Sequence, residues 1–316
     1  MPRHDPLPRA LTFRPFSVAD GFAAGATKKR LLGPDLDRPF RGIRTPKSFR
    51  TVTAQDDLSL TIRRCSEYAP RLLPGQYFSH LTAAVLWRMP LPRHVAPTDP
   101  LHVTSTIPRN APRSVGIAGH RAPPATIHTR FGFPVSSPED TWLALASIFS
   151  ADELIVAADA LVLDPEVLDP RDIRPYSTIE NLIAAFDSFA GRGKRAAAEA
   201  LPQIRQGAES PRETLLRLLA VRAGYPEPVL QAQILDADGR FIARGDMFYP
   251  EYRTVFEYDG QQHRTDDVQY ESDLGRSENI KKADYEHVRI TKRRFRSPRM
   301  VIALLDEALR RRGWRG

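Results

Sequence analysis

Apolar positions recur at helical spacing in several stretches of the first half. Leu58, Leu60, Ile62 and Cys65 lie near one another in a charged segment that Pro70 ends, which predicts a helix early in 49–92. YFSHLTAAVLWRMPLP follows, with Ser79 placed to cap a helix through Ala84, Val85 and Leu86 before Pro90 and Pro92 stop it. Two short helices with a tight connection suit a helix-turn-helix or winged-helix element, and suit other helical packings equally well. LHVTST (101–106) and ATIHT (125–129) read as short strands. PEDTWLALASIFS (138–150) places Pro138 in a first turn and Glu139 and Asp140 near the positive helix end. ADELIVAADALVL (151–163) is a further helix whose exit Pro165, Pro170 and Pro175 punctuate. Residues 178–206 are helical with a break near Gly191 and Gly193.

The second half changes period. In SPRETLLRLLAVRAGYPEP, Ser210 is an N-cap candidate, Pro211 a first-turn proline and Gly224 a stop. The segments 229–235, 240–249 and 254–260 are β-prone, joined by Asp236-Ala237-Asp238-Gly239 and by PEYR (250–253). A capped helix followed by a three-stranded meander is the expectation. A helix over 271–283 follows. PRMVIALLDEALRRRGW then carries Val301, Leu304, Leu305 and Leu309 at helical spacing with a basic end.

Length and charge add domain limits and a class of partner. The 316 residues suggest two domains. The pattern divides them into a basic, Pro- and Gly-rich arm (1–48) read as a flexible tail, a second region (49–207) and a third (208–316). Net charge is 46 − 38 = +8, of which residues 208–316 hold 20 − 18 = +2. Any polyanionic partner would therefore be held largely by the first 207 residues. Cys65, the single cysteine, excludes a disulfide framework and a multi-cysteine metal site, and reads as a buried thiol. Trp87 and Trp142 read as core residues rather than stacking platforms. No signal peptide or membrane span is visible, so an intracellular, cytoplasmic protein is expected.

The candidate chemistry sits in the meander. Asp246 lies near the end of one strand and Glu257 on the next, where a short hairpin brings neighbours together. Asp259, two residues further on, shares the face of Glu257. Three carboxylates on one half-buried face repel unless neutralised, and a hard divalent cation such as Mg²⁺ is the natural compensator. Such an ion activates water and offsets charge on a phosphodiester. Glu213 could add a fourth carboxylate, and His263 a general base or phosphate contact. Plainer roles stand beside these: a Ser210–Glu213 capping box, a turn at Asp259-Gly260, solvated acids and a surface histidine. Arg276, Lys281 and Lys282 form a basic helix face that either contacts phosphate or is merely solvated. Arg289 with Lys292, Arg293 and Arg294 makes a stronger basic patch, with Phe295 available to pack or stack.

RGDMFYPEYRTVFEYDGQQH, with SPRE and AGYPEP upstream and ESDLGRSENIKKADYEHVRIT downstream, resembles the nuclease domain related to very-short-patch repair endonucleases, within the PD-(D/E)XK superfamily. The resemblance covers about 208–312. It implies an α/β, restriction-endonuclease-like mixed sheet flanked by helices, with Asp246 and Glu257 binding Mg²⁺ or Mn²⁺ and the Tyr258 carbonyl a further candidate ligand. It makes Glu213 an accessory acid and His263 a polar site residue. Asp259 stands where that superfamily usually has lysine, a departure the repair-endonuclease-like subfamily shares. YFSHLTAAVLWRMPLP, LHVT and FPVSSPEDTWLALA resemble the amino-terminal region of proteins related to abortive-infection type IV antitoxins. That implies a mostly helical, winged-helix-like α+β domain that binds or positions DNA. A DNA endonuclease is thus the leading expectation, and a non-catalytic antitoxin-like regulator with a degenerate nuclease fold the alternative.

Overall fold

The computed structural model describes residues 5–51, 56–95, 100–107, 111–123, 126–259 and 267–316. It is of mixed α/β class. The chain forms two compact units, one of Met1–Leu154 with Glu180–Ala198 and one of Ile155–Ile179 with Glu199–Gly316. The division is therefore not a single cut near 207, because 155–179 joins the later residues.

The first unit begins with β1 (Phe16–Ser17) and α1 (Val18–Ala23), joined by a reciprocal capping box between Ser17 and Asp20. β2 (Leu36–Asp37) and β3 (Ile43–Pro46) complete an antiparallel sheet in the order β1-β3-β2. Leu11, Phe16, Ala26, Leu31 and Leu36 form its core. The segment expected as a flexible arm is instead packed. Its apolar residues follow no helical or strand period because prolines and glycines turn the chain between them, so the pattern hid the core.

α2 (Asp57–Tyr68) is capped by the Asp56 side chain, which accepts from Ser59 N at 2.7 Å. β4 (Gln76–Phe78) follows, then α3 (His80–Leu86). The expected tight connection between these helices is absent, since a fully buried strand runs between them. β5 (Leu101–Ser105), β6 (Ile117–Arg121), β7 (Ile127–Arg130) and β8 (Phe133–Ser136) join it in a sheet ordered β6-β5-β4-β8-β7. The β5–β6 and β4–β8 pairs are parallel, the others antiparallel. This sheet corrects the expectation of a mostly helical region. Ser79 takes the N-cap position of α3, but its hydroxyl makes no cap bond and instead accepts from Thr104 Oγ1 at 2.7 Å.

α4 (Pro138–Leu145) is capped by Ser137, whose hydroxyl accepts from Asp140 N at 3.0 Å. α5 (Ala151–Val162), α6 (Ile179–Ser188) and α7 (Lys194–Ala200) follow. Trp87 and Trp142 are core residues with their one donor satisfied: Trp87 Nε1 reaches Ser136 O and Trp142 Nε1 reaches Leu154 O, each at 2.9 Å. Cys65 is fully buried, which pushes its thiol far above the usual range.

Gly193 explains the break before α7. Its φ is +86°, and an added Cβ would lie 2.0 Å from the Ala146 carbonyl oxygen. Gly193→Ala is expected to lose about 2–3 kcal/mol in urea unfolding, from conformational strain and the backbone clash together. Gly25 has the same φ of +86° with nothing near its absent Cβ. Gly25→Ala should therefore lose only about 1 kcal/mol, the left-handed penalty alone. Equal losses would refute the clash.

In the second unit, α8 (Pro211–Arg222) precedes the sheet, and its N-cap Ser210 accepts from Glu213 N at 3.2 Å. β9 (Val229–Leu235), β10 (Phe241–Tyr249) and β11 (Thr254–Asp259) form the expected meander. α9 (Asp267–Lys282) leads to β12 (Glu286–Thr291), and the short α10 (Lys292–Phe295) precedes α11 (Pro298–Arg311). The sheet order is β12-β11-β10-β9, with β12 parallel to β11 and the other pairs antiparallel. One face carries Met247, Tyr249, Phe256 and Ile290, packed against Leu216 and Ala220 of α8 and Val301, Leu305 and Leu309 of α11. Alternation then turns Asp246 and Glu257 to the opposite face, beside α9.

Candidate functional site

The polar face of the four-stranded sheet in the second unit assembles residues from every one of its strands and from α8 and α9. The register pairs Met247 with Phe256, so Asp246 stands opposite Glu257. Asp246 Oδ2 accepts the Tyr258 amide at 2.8 Å, which fixes the carboxylate across the hairpin. Glu257 is buried, at 6% exposure. Its Oε2 takes the Arg276 guanidinium at 3.0 Å and lies 3.1 Å from His287 Nε2. Its Oε1 is buried without a partner among the described residues. Ser277 Oγ and His287 Nδ1 lie 3.0 Å apart, so α9 orients the imidazole.

Glu213 reaches this face from the first turn of α8. Its Oε2 accepts from Glu209 N and from Gln231 Nε2, each at 2.8 Å. Ser210 does cap the helix, but the Glu213 carboxylate turns to Glu209 rather than closing a box on Ser210. Glu213, Asp246 and Glu257 interact without bringing one oxygen each within 4.8 Å, the spacing that only a histidine group meets among the described residues. Glu209 N and Gln231 hold Glu213 back, and Arg276 and His287 hold Glu257.

Asp259 shares the face of Glu257, as the two-residue period requires, and pairs with Arg289 at 3.3 Å. With Arg289, Thr291, Arg293, Arg294 and Met300 it lines an open cavity of about 600 Å³. Lys292, Arg293 and Arg294 are exposed on α10. Phe295 packs edge-on against Tyr258 with centroids 5.4 Å apart, and the Arg212 guanidinium lies 5.0 Å from its ring centre. Phe295 is thus a packing residue. Lys281 and Lys282 are exposed, and Lys282 stands 3.8 Å from Glu278 in the same helix. Arg276, read in the sequence with these lysines as one basic face, instead turns inward to Glu257. His263 lies outside the described residues.

The electrostatics follow from this crowding. Burial, then the facing Glu213 and Glu257 charges, push the Asp246 carboxyl up to about 7, against the Tyr258 amide and Arg276. Burial likewise raises Glu213. For Glu257 burial acts upward, but His287, Arg276 and Arg289 together outweigh it and its value is lowered. One carboxyl of the facing pair is thus compensated and the other is not. Unfolded Asp246 releases its proton near 3.8 and the folded form near 7, so the native state holds the extra proton between those values. Stability therefore falls as pH rises through that window, by at most about 1.4 kcal/mol per pH unit for this one group. Glu213 acts in the same direction, and Glu257 acts only below its ordinary value. Calorimetry of the wild type from pH 5 to 8 should show a falling Tm, and Asp246→Asn should flatten it. A slope unchanged in the variant would refute the assignment.

The sequence reading missed His287 and assigned no element to its segment, which forms β12. The signal lay in EHVRIT, where His287 and Arg289 share one strand face. No protein-family model, curated protein or solved structure matches the chain.

Proposed function

We infer that this chain is a metal-dependent nuclease whose site is the carboxylate face of the second unit. The observation that carries the reading is the opposed Asp246–Glu257 pair, with Asp246 left uncompensated and Glu257 Oε1 buried without a partner among the described residues. Both features fit a divalent cation, Mg²⁺ or Mn²⁺, held by Asp246 and Glu257, with Glu213 as a neighbouring acid. The bound ion supplies an activated water and offsets charge at a phosphodiester. Arg289, Arg293 and Arg294 around the adjoining open cavity bind phosphate, and Lys292 extends the patch. Arg276 supplies beside Glu257 the positive charge that Asp259 does not. The helix–three strands–helix–strand order of 211–291 agrees with the restriction-endonuclease-like arrangement that the sequence resemblance implies. DNA is the favoured substrate. The five-stranded region of the first unit is assigned to DNA positioning, on its resemblance to the antitoxin-related proteins.

The test incubates the full chain with supercoiled and single-stranded DNA in Mg²⁺, Mn²⁺ or EDTA. Nicking or cutting that requires metal is expected. A second reading, an antitoxin-like regulator, draws on the same Arg276–Glu257 pair as a sign that the acid is permanently neutralised. It requires metal-independent, salt-sensitive binding of a preferred DNA sequence without cleavage.

A further inference from the structure

A separate cluster in the first unit uses none of these residues. His80 opens α3, His102 lies in β5 and His120 in the edge strand β6. His102 Nδ1 and His120 Nε2 are 3.0 Å apart. The rings of His80 and His120 stack with centroids 3.7 Å apart. One ligating nitrogen from each of the three residues lies within 4.8 Å of the other two. His80 sits at φ +48°, a left-handed conformation that a residue with a side chain takes only when its surroundings impose it.

The neighbours orient this cluster as the outer partners of a metal site would. His80 Nδ1 lies 3.0 Å from Ser79 Oγ, which in turn accepts from Thr104 Oγ1 at 2.7 Å. Nε2 is then the nitrogen His80 offers to a metal. The hydroxyl chain thus ties α3 to β5 at Thr104, the register partner of His120 in β6. Burial first, then the neighbouring imidazoles, hold His80 down at about 3 and His102 at about 4. Among the described residues no carboxylate belongs to the group, so an ion pair does not explain why three imidazoles converge. The cluster faces a cavity of about 980 Å³ that Tyr77, Arg121, Asp140 and Arg192 also line.

We propose that His80, His102 and His120 form a Zn²⁺ site whose fourth coordination position opens onto this cavity. Imidazole suits zinc, and three protein ligands with an open position is the arrangement of reactive rather than structural zinc. Arg121 and Arg192 favour an anionic ligand at the open position.

The test titrates Co²⁺ into the chelator-stripped full chain and follows its visible d–d bands. Intense tetrahedral-type bands saturating at one equivalent are expected, with displacement by Zn²⁺. His102→Ala and His120→Ala should each weaken binding by about a hundredfold or more, and Thr104→Val by about 10–100-fold as an outer partner. His128→Ala, outside the cluster, should bind as wild type. Ring ¹⁵N resonances of the wild type provide a readout that needs no variant: three histidines should shift on adding Zn²⁺. Absence of tight Co²⁺ binding, persistence of the bands in a folded His120→Ala protein, or shifts at fewer than three rings would overturn the site.

Discussion

Asp246→Asn is expected to slow metal-dependent phosphodiester cleavage about a thousandfold while the protein stays folded. A catalytic metal contributes several kcal/mol to the transition state, and each 1.36 kcal/mol is tenfold, so loss of a ligand at this site costs about three orders of magnitude. Asparagine keeps an oxygen that can accept the Tyr258 amide, the contact that fixes the side chain across the hairpin at 2.8 Å. It also removes a charge that the folded state resists, because burial and the facing carboxylates raise Asp246 to about 7. The variant should therefore unfold at an equal or higher temperature than wild type at pH 8, which separates loss of chemistry from loss of fold. Glu257→Gln should lose cleavage to a similar degree but also lose stability, since Arg276 and His287 would face a neutral amide. Single-turnover rates at saturating Mg²⁺ and Mn²⁺, beside melting curves, make the comparison. Asp246→Asn cutting at the wild-type rate would remove Asp246 from the chemistry.

Arg217→Ala should cost about 3–5 kcal/mol, the usual consequence of leaving a buried charge without its partner. Arg217 and Asp159 side chains are each 1% exposed and meet at 3.2 Å. Arg217 also donates to Gln203 O at 2.7 Å and to Glu227 Oε1 at 3.2 Å. Asp159 further accepts from Arg205 N at 2.8 Å and from Thr214 Oγ1 at 2.9 Å, so its carboxylate is fixed in place. Burial already raises Asp159 to about 6, with Arg217 the foremost opposing influence. Without Arg217 that value rises further, the native state retains its proton to higher pH, and the loss grows as pH rises from 5 to 8. Urea unfolding at the two pH values measures this. Adding Asp159→Asn should recover much of the stability, because the stranded charge goes with it. A loss below 1 kcal/mol at pH 8 would mean that water or another residue replaces the guanidinium. This pair also gives a physical reason why 155–179 belongs with the later residues, where the sequence pattern put the boundary near 205–210.

The parts of the fold legible in the sequence are those set by local chemistry. Ser210 and Pro211 mark the start of α8, and Asp236-Ala237-Asp238-Gly239 and PEYR mark the turns of the meander, because caps and turns depend on a few adjacent residues. The Asp246–Glu257 opposition was legible for the same reason, as a short hairpin leaves little freedom of register. β12 was not, since its pairing with β11 is parallel and depends on residues more than one element away. Its polar face, His287 and Arg289, follows the charged helix over 271–283 without a break in composition. Arg276 read as part of a basic helix face because sequence carries no information about which helical face meets the sheet until the sheet is placed. In the first unit, β4 is only three residues long, and β6 contains Gly119, so neither stands out by composition. The histidine cluster joins three elements far apart in sequence and has no spacing motif to reveal it.

Anomalous diffraction at the manganese edge, from crystals soaked in Mn²⁺, tests the carboxylate centre most directly. A peak between the Asp246 and Glu257 carboxylates, with Arg276 displaced from Glu257, is the expected result. Manganese found only at His80, His102 and His120, or nowhere, with the Arg276–Glu257 pair unchanged, would contradict a metal-dependent nuclease site on this sheet.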